Sequence, residues 1–156
     1  MSNYRILVAT ELASGTDRLL AEAQRYGRAL DAIVDILHVA PSDPEFVGYI
    51  KNPDPEAMGP SQDEQIRESR AKAFRSQHRR TQDFEAALRV NGVCVGQTLT
   101  VQGPVLETIL EHVRKFNSDL LMLGSHQHSA LYRLWYGDTA TEAVKHAPCA
   151  LLVVPM

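Results

Sequence analysis

The chain has 156 residues, 44% of them hydrophobic and 22% charged, with a net charge of -3. That length suits one domain with a sizeable core, expected over 1–156, and is short for two. The mild charge gives no reason to expect a nucleic-acid or membrane-surface partner, and no apolar run approaches the ~20 residues of a spanning helix.

The N-terminus lacks a basic region followed by an apolar run and a cleavage site, so no secretory signal is expected there. "YRILVAT" (4–10) is a nearly continuous apolar run, as in a strand covered on both faces. A helix should follow, with Leu19, Ala23, Tyr26 and Leu30 on one stripe and Ser14 as its N-cap. "IVDILHV" (33–39) predicts the second strand. Residues 40–61 contain Pro41, Pro44, Pro53, Pro55 and Pro60 among acids, serine and glycine, which suits a surface connection rather than a helix.

Periodicity then predicts a long helix over 62–90, with Ile66, Ala73, Phe74, Phe84 and Leu88 facing inward and a polar centre. "VCVGQTLTV" (93–101) is a third strand. Gly103 and Pro104 open a helix striped by Leu106, Ile109, Leu110 and Val113. "DLLMLG" is a fourth strand, "TATEAVKHA" a last helix, and "ALLVV" a fifth strand stopped by Pro155. Buried-type strands alternating with helices predict an α/β fold, one doubly wound domain with a five-stranded parallel sheet and helices on both faces. Cys94 and Cys149 are expected as buried thiols rather than a disulfide, which fits a reducing cytoplasm. His112 and His146 are expected as exposed helix residues.

In such a sheet, ligands bind beyond the carboxyl ends of the strands where the order reverses. Thr10 and Glu11 end the first strand and Gly124 ends the fourth, so the loops after them should share a crevice. Helix N-termini pointing into that crevice favour phosphate. Gly124 and Gly137 give backbone room to approach an oxyanion, although a glycine after a strand is also a simple turn requirement.

Several stretches together resemble the universal stress protein family. They are "ILVAT" followed by an acid, the second strand ending in "LHV", "DLLMLGSH", and "TEAVKHAPCALLVV". The resemblance covers nearly the whole chain. It implies strand order 3-2-1-4-5, a dimer through the last strand and, in one branch, ATP held by a G-x2-G-x9-G-[S/T] loop. Another branch lacks that loop. Here Gly124 and Gly137 stand at the first and third glycines, Gln127 at the second, and Asp138 at the hydroxyl position. Glu11 stands where the resemblance implies an acid meeting the adenosine, and Val39 where backbone reads adenine.

A left-handed Gln127 would cost about 1 kcal/mol. Asp138 sets a negative charge beside ligand phosphate, unless a bound Mg²⁺ turns it into a ligand. Asp138 or Thr139 also reads as the cap of the last helix, since Thr139 to Glu142 is a capping box. ATP, with Mg²⁺, is therefore the cofactor this loop would take, and its substitutions should weaken it. His126 and His128 are two apart in a loop with no third metal ligand nearby in sequence. The expectation is that His126 lines the crevice and that there is no metal site.

Trp135 and Tyr136 read as packing rather than base-stacking groups. No nucleophile elbow, Walker lysine or metal-ligand set calls for an enzyme, beyond slow ATP hydrolysis at most. The expected protein is a stress-response or signalling protein with a degenerate nucleotide crevice. The alternatives are a working ATP or AMP switch, and a nucleotide-free module whose 40–61 segment and 62–90 helix meet a protein partner. Arg75, His78, Arg79 and Arg80 read as a solvated face balanced by Glu68, Asp83 and Glu85 rather than as a patch for an acidic partner. Finally, "ALLVV" (150–154) should lie on a sheet edge without a charge to protect it. That predicts a homodimer through Ala150 to Val154.

Overall fold

The computed structural model describes residues 3–10, 12, 16–41, 62–125 and 145–155. Its elements are β1 (Arg5–Thr10), α1 (Thr16–Ala29), β2 (Ile33–Pro41), α2 (Gln62–Val90), β3 (Cys94–Gly103), α3 (Val105–Lys115), β4 (Leu120–Ser125) and β5 (Ala150–Pro155). The five strands form one sheet in the order β3-β2-β1-β4-β5, and every neighbouring pair is parallel. The expected doubly wound order is therefore present. Of the expected last helix, 139–147, only Lys145, His146 and Ala147 are described; the first two are helical and Ala147 is not.

Parallel strands need crossovers, and here these cover both faces of the sheet. Ile6, Val8, Val34, Ile36 and Met122 point to one face, where Leu19 and Ala23 of α1 and Phe84 and Leu88 of α2 close over them. Leu7, Ala9, Leu37, Val39, Leu121 and Leu123 point to the other, against Ile109 and Val113 of α3. This two-sided cover is why "ILVA" carries no polar alternation. Gly27 lets α1 lie close to the sheet, since a Cβ there would stand 3.0 Å from Val93 and 3.1 Å from Val34.

Three helices end in the same way. Ala32, Val93 and Ser118 donate their N–H groups to Gly27, Leu88 and Val113, while Asp31, Gly92 and Asn117 donate to Arg28, Arg89 and Arg114. This paired pattern is the Schellman ending, whose turn residue takes a positive φ. The angles are 49° at Asp31, 79° at Gly92 and 50° at Asn117. Gly92 and Asn117 are residue types that favour such an ending, and Asp31 is the exception.

The β2–β3 ladder carries a bulge. Val34 pairs with Val95 and Ile36 with Thr98, so Asp35 alone faces both Gly96 and Gln97. Asp35 is fully buried. Its carboxylate accepts from Arg5 Nε at 3.1 Å and from Arg5 Nη2 at 2.7 and 2.8 Å. It also accepts from the Gln97 N–H at 2.7 Å. One side chain thereby ties β1, β2 and the bulged strand together.

Some expectations on individual side chains fail. Leu30 and Phe74 are 39% and 38% exposed, Ala73 is exposed, and Cys94 is exposed rather than buried. Leu30 lies in the turn after α1 ends, and Cys94 opens an edge strand. Cys149 is half-buried, and burial raises its thiol pKa above the usual value. The two thiols are free and belong to opposite edges of the sheet. His112 is buried, not exposed: its Nδ1–H donates to the Thr108 carbonyl at 2.7 Å, and its ring packs edge-on against Phe116. His146 is exposed as expected.

Candidate functional site

β1 is followed in the sheet by β2 and β3 on one side and by β4 and β5 on the other. The order therefore reverses between β1 and β4, and the crevice lies outside their carboxyl ends. Thr10 closes β1 there and is 3% exposed. Its Oγ1 accepts the Leu12 N–H at 3.2 Å, a hydroxyl-held turn. Leu12 has φ 56° and is itself buried at 4% exposure, so the turn is anchored by both a hydrogen bond and an apolar side chain.

His38 fixes the same turn from the neighbouring strand. It stands opposite Thr10 in the ladder, and its Nδ1–H donates to the Thr10 carbonyl at 2.7 Å. That bond assigns the proton of the neutral ring to Nδ1 and leaves the lone pair on Nε2. Nε2 is buried and finds no hydrogen-bond partner among the described residues. In the sequence His38 stood out only as part of the "LHV" that ends the second strand. Its positioning role was hinted at by a histidine near the end of a mostly apolar strand.

Val39, one residue further along β2, buries its side chain among Ile109, Val113 and the α3-side core. Only its backbone is left for recognition at that level. Gly124 is buried in β4, one residue past the last β1–β4 pair, Ala9 with Leu123, and pairs with Val154. Thr10, Val39 and Gly124 thus gather at one end of the sheet. Glu11, His126, Gln127, Gly137, Asp138 and Thr139 lie outside the described residues, as do Ser14, His128, Trp135 and Tyr136.

Among the described residues, no three His, Cys, Asp or Glu side chains gather to hold a metal ion. No described helix is long and apolar enough to cross a membrane. A hollow of about 480 Å³ lined by Arg5, Gln97, Leu99, Lys115, Phe116 and Asn117 opens at the other end of the sheet. Its Arg5 is already neutralised by Asp35, so it adds nothing to the crevice.

Comparison with known proteins agrees with this geometry. A family model described as the universal stress protein family matches residues 3–155. Universal stress protein C of Escherichia coli strain K12 is 28% identical over 158 residues, covering 100% of this chain and 98% of that protein. Among solved structures, a universal stress protein in complex with cAMP superposes with a TM-score of 0.64 at 13% identity, over 99% of this chain and 98% of that one. The universal stress protein of Archaeoglobus fulgidus in complex with dAMP gives a TM-score of 0.58 at 14% identity, over 98% of each chain. At these identities the two structures speak for the fold alone.

Proposed function

This chain belongs to the universal stress protein family, and from that membership we propose that its crevice holds an adenine nucleotide as part of a stress-response role. The observation that carries the proposal is the fixed turn after β1. Leu12 and His38 hold Thr10 from two sides at the point where the strand order reverses. Two structures of similar fold have cAMP and dAMP bound, both monophosphates. Around Thr10 the ligand would meet Glu11 at the ribose, Val39 backbone at the base, and Gly124, His126, Gln127, Gly137 and Thr139 along the phosphate.

Asp138 sets the preference. A carboxylate beside the phosphates opposes each added negative charge, so a monophosphate is favoured over ATP unless Mg²⁺ bridges Asp138 to it. Calorimetric titration with AMP, cAMP and ATP, with and without Mg²⁺ at matched salt, tests this. AMP should bind more tightly than metal-free ATP, and Asp138→Ser should tighten metal-free ATP by about tenfold, which is 1.4 kcal/mol. No heat with any nucleotide would sink the reading, and phosphate release would convert it into an enzymatic one.

We also propose a homodimer through β5. That strand is on the edge, pairs only with β4 among the described strands, and leaves Leu151, Leu152 and Val153 half-exposed. A second copy across a two-fold axis would cover it. Leu152→Lys should then elute as a monomer in size-exclusion chromatography, and an unchanged dimer would rule this interface out.

A further inference from the structure

α2 is two helices in physical terms. Its C-terminal part is held to the sheet, with Thr81, Phe84 and Leu88 buried and His78 Nδ1 hydrogen-bonded to Thr100 Oγ1 of β3 at 3.3 Å. From 64 to 80 every residue is exposed except Ile66 and Gln77, which are half-buried. At 1.5 Å per residue, this exposed part is about 25 Å long.

Its charge is concentrated. Residues 69–80 contain Arg70, Lys72, Arg75, Arg79 and Arg80, together with His78, and no acid. These twelve residues carry five of the 16 lysines and arginines of the chain, while all 19 acids lie elsewhere. The rest of the chain is therefore eight charges negative.

Self-neutralisation would be the ordinary fate of such a run, and acids stand at the right spacing for it. Glu68 is four residues before Lys72 and Asp83 four after Arg79. Yet none of Lys72, Arg75, Arg79 and Arg80 makes an ion pair with another described residue, whereas Glu85 and Arg89 in the packed part do, at 2.8 Å. Lys72, Arg75 and Arg79 instead share one stripe, where like charges three and four apart repel. An exposed helix of this length gains little from packing and is marginal by itself. Opposite charge from outside would remove the repulsion and hold the helix.

We propose that residues 69–80 of α2 are a docking surface for a short acidic segment of a partner protein. The cationic run of twelve residues is about 18 Å long, the span of about five or six extended residues. Phe74, 38% exposed at the middle of the run, adds an apolar contact. A long polyanion such as nucleic acid would run off this patch onto a surface that is negative in sum, which favours the short segment. The inference follows the interaction-module reading of the sequence and does not depend on nucleotide binding.

Fluorescence anisotropy with a fluorescein-labelled octaglutamate peptide tests it, with a labelled single-stranded oligonucleotide of 20 bases as the competing probe. The peptide should bind at low salt, and its affinity should fall at least about tenfold as the Debye length shrinks from ~30 Å to ~8 Å. Lys72→Glu/Arg75→Glu/Arg79→Glu should abolish binding, and Lys72→Gln/Arg75→Gln/Arg79→Gln should weaken it about tenfold or more. Both variants should keep the far-ultraviolet circular dichroism and the nucleotide titration of the parent, so this proposal and the crevice can fail separately. Absent peptide binding, binding unchanged in the glutamine variant, or tighter binding of the oligonucleotide would overturn the proposal.

Discussion

Asp35→Ala should lower folding stability by about 3–5 kcal/mol, read as a fall in the urea midpoint. Two groups lose their partner at once. The Arg5 guanidinium, whose side chain is only 28% exposed, is left beside an apolar strand without its carboxylate. The Gln97 N–H, which Asp35 accepts at 2.7 Å, becomes a part-buried donor without an acceptor, and such an orphan costs about 1–3 kcal/mol. Arg5 can turn partly to water, which places the result nearer the lower figure. Since whole domains are stable by about 5–15 kcal/mol, the variant should remain folded but lose a large share of that margin. A loss below about 1 kcal/mol would show that water replaces the pair.

Gly96→Ala should cost about 1–3 kcal/mol through overpacking. The added Cβ would stand 2.4 Å from Asp35 Oδ1, 2.9 Å from Ile33 Cγ2 and 3.3 Å from Arg5 Nη2. The two nearest have little room to yield, because the carboxylate is held by three donors and Ile33 is backbone-paired with Arg5 and Cys94. The cause can be isolated. In the Asp35→Ala background the nearest clash disappears, so the glycine change should cost less there, a coupling of about 0.5–3 kcal/mol. Equal cost in both backgrounds would move the strain to Ile33.

Neither effect was legible in the sequence, although both partners of the ion pair were visible. "IVDILHV" shows a charge inside a strand, and "YRILVAT" shows another at the start of one. Nothing local says that the two strands are neighbours in a register that brings Arg5 to Asp35. The bulge that accepts them depends on pairing between β2 and β3, sixty residues apart. What was legible rests on short-range physics: unbroken apolar runs for strands buried on both faces, and a four-residue stripe for α3, where Ile109 and Val113 are buried. The long helix was read with its observed bounds, Gln62–Val90. Its inner face was misplaced at Phe74, because period alone cannot tell where a helix leaves the sheet.

The site shows the same division. Thr10 and Gly124 were expected from strand ends and Val39 from the family resemblance, and the sheet brings all three to one end. His38 was missed as a holder of the β1 turn because its hydrogen bond crosses from one strand to the next. His112 was misread for a related reason. Its hydroxyl-free, wholly local bond to the Thr108 carbonyl lets a polar ring sit inside, and hydropathy pattern does not register that option.

The three helix endings at Asp31, Gly92 and Asn117 have a consequence for how such a chain can change over time. They close the junctions at the amino end of the sheet within a few residues, using backbone groups alone. Strand spacing and register are thereby held from one side. The long connections, 42–61 and 126–149, both leave from the opposite side. Substitutions there leave the backbone bonds of these three helix endings in place. Loop sequence at the carboxyl end and scaffold stability can therefore drift independently.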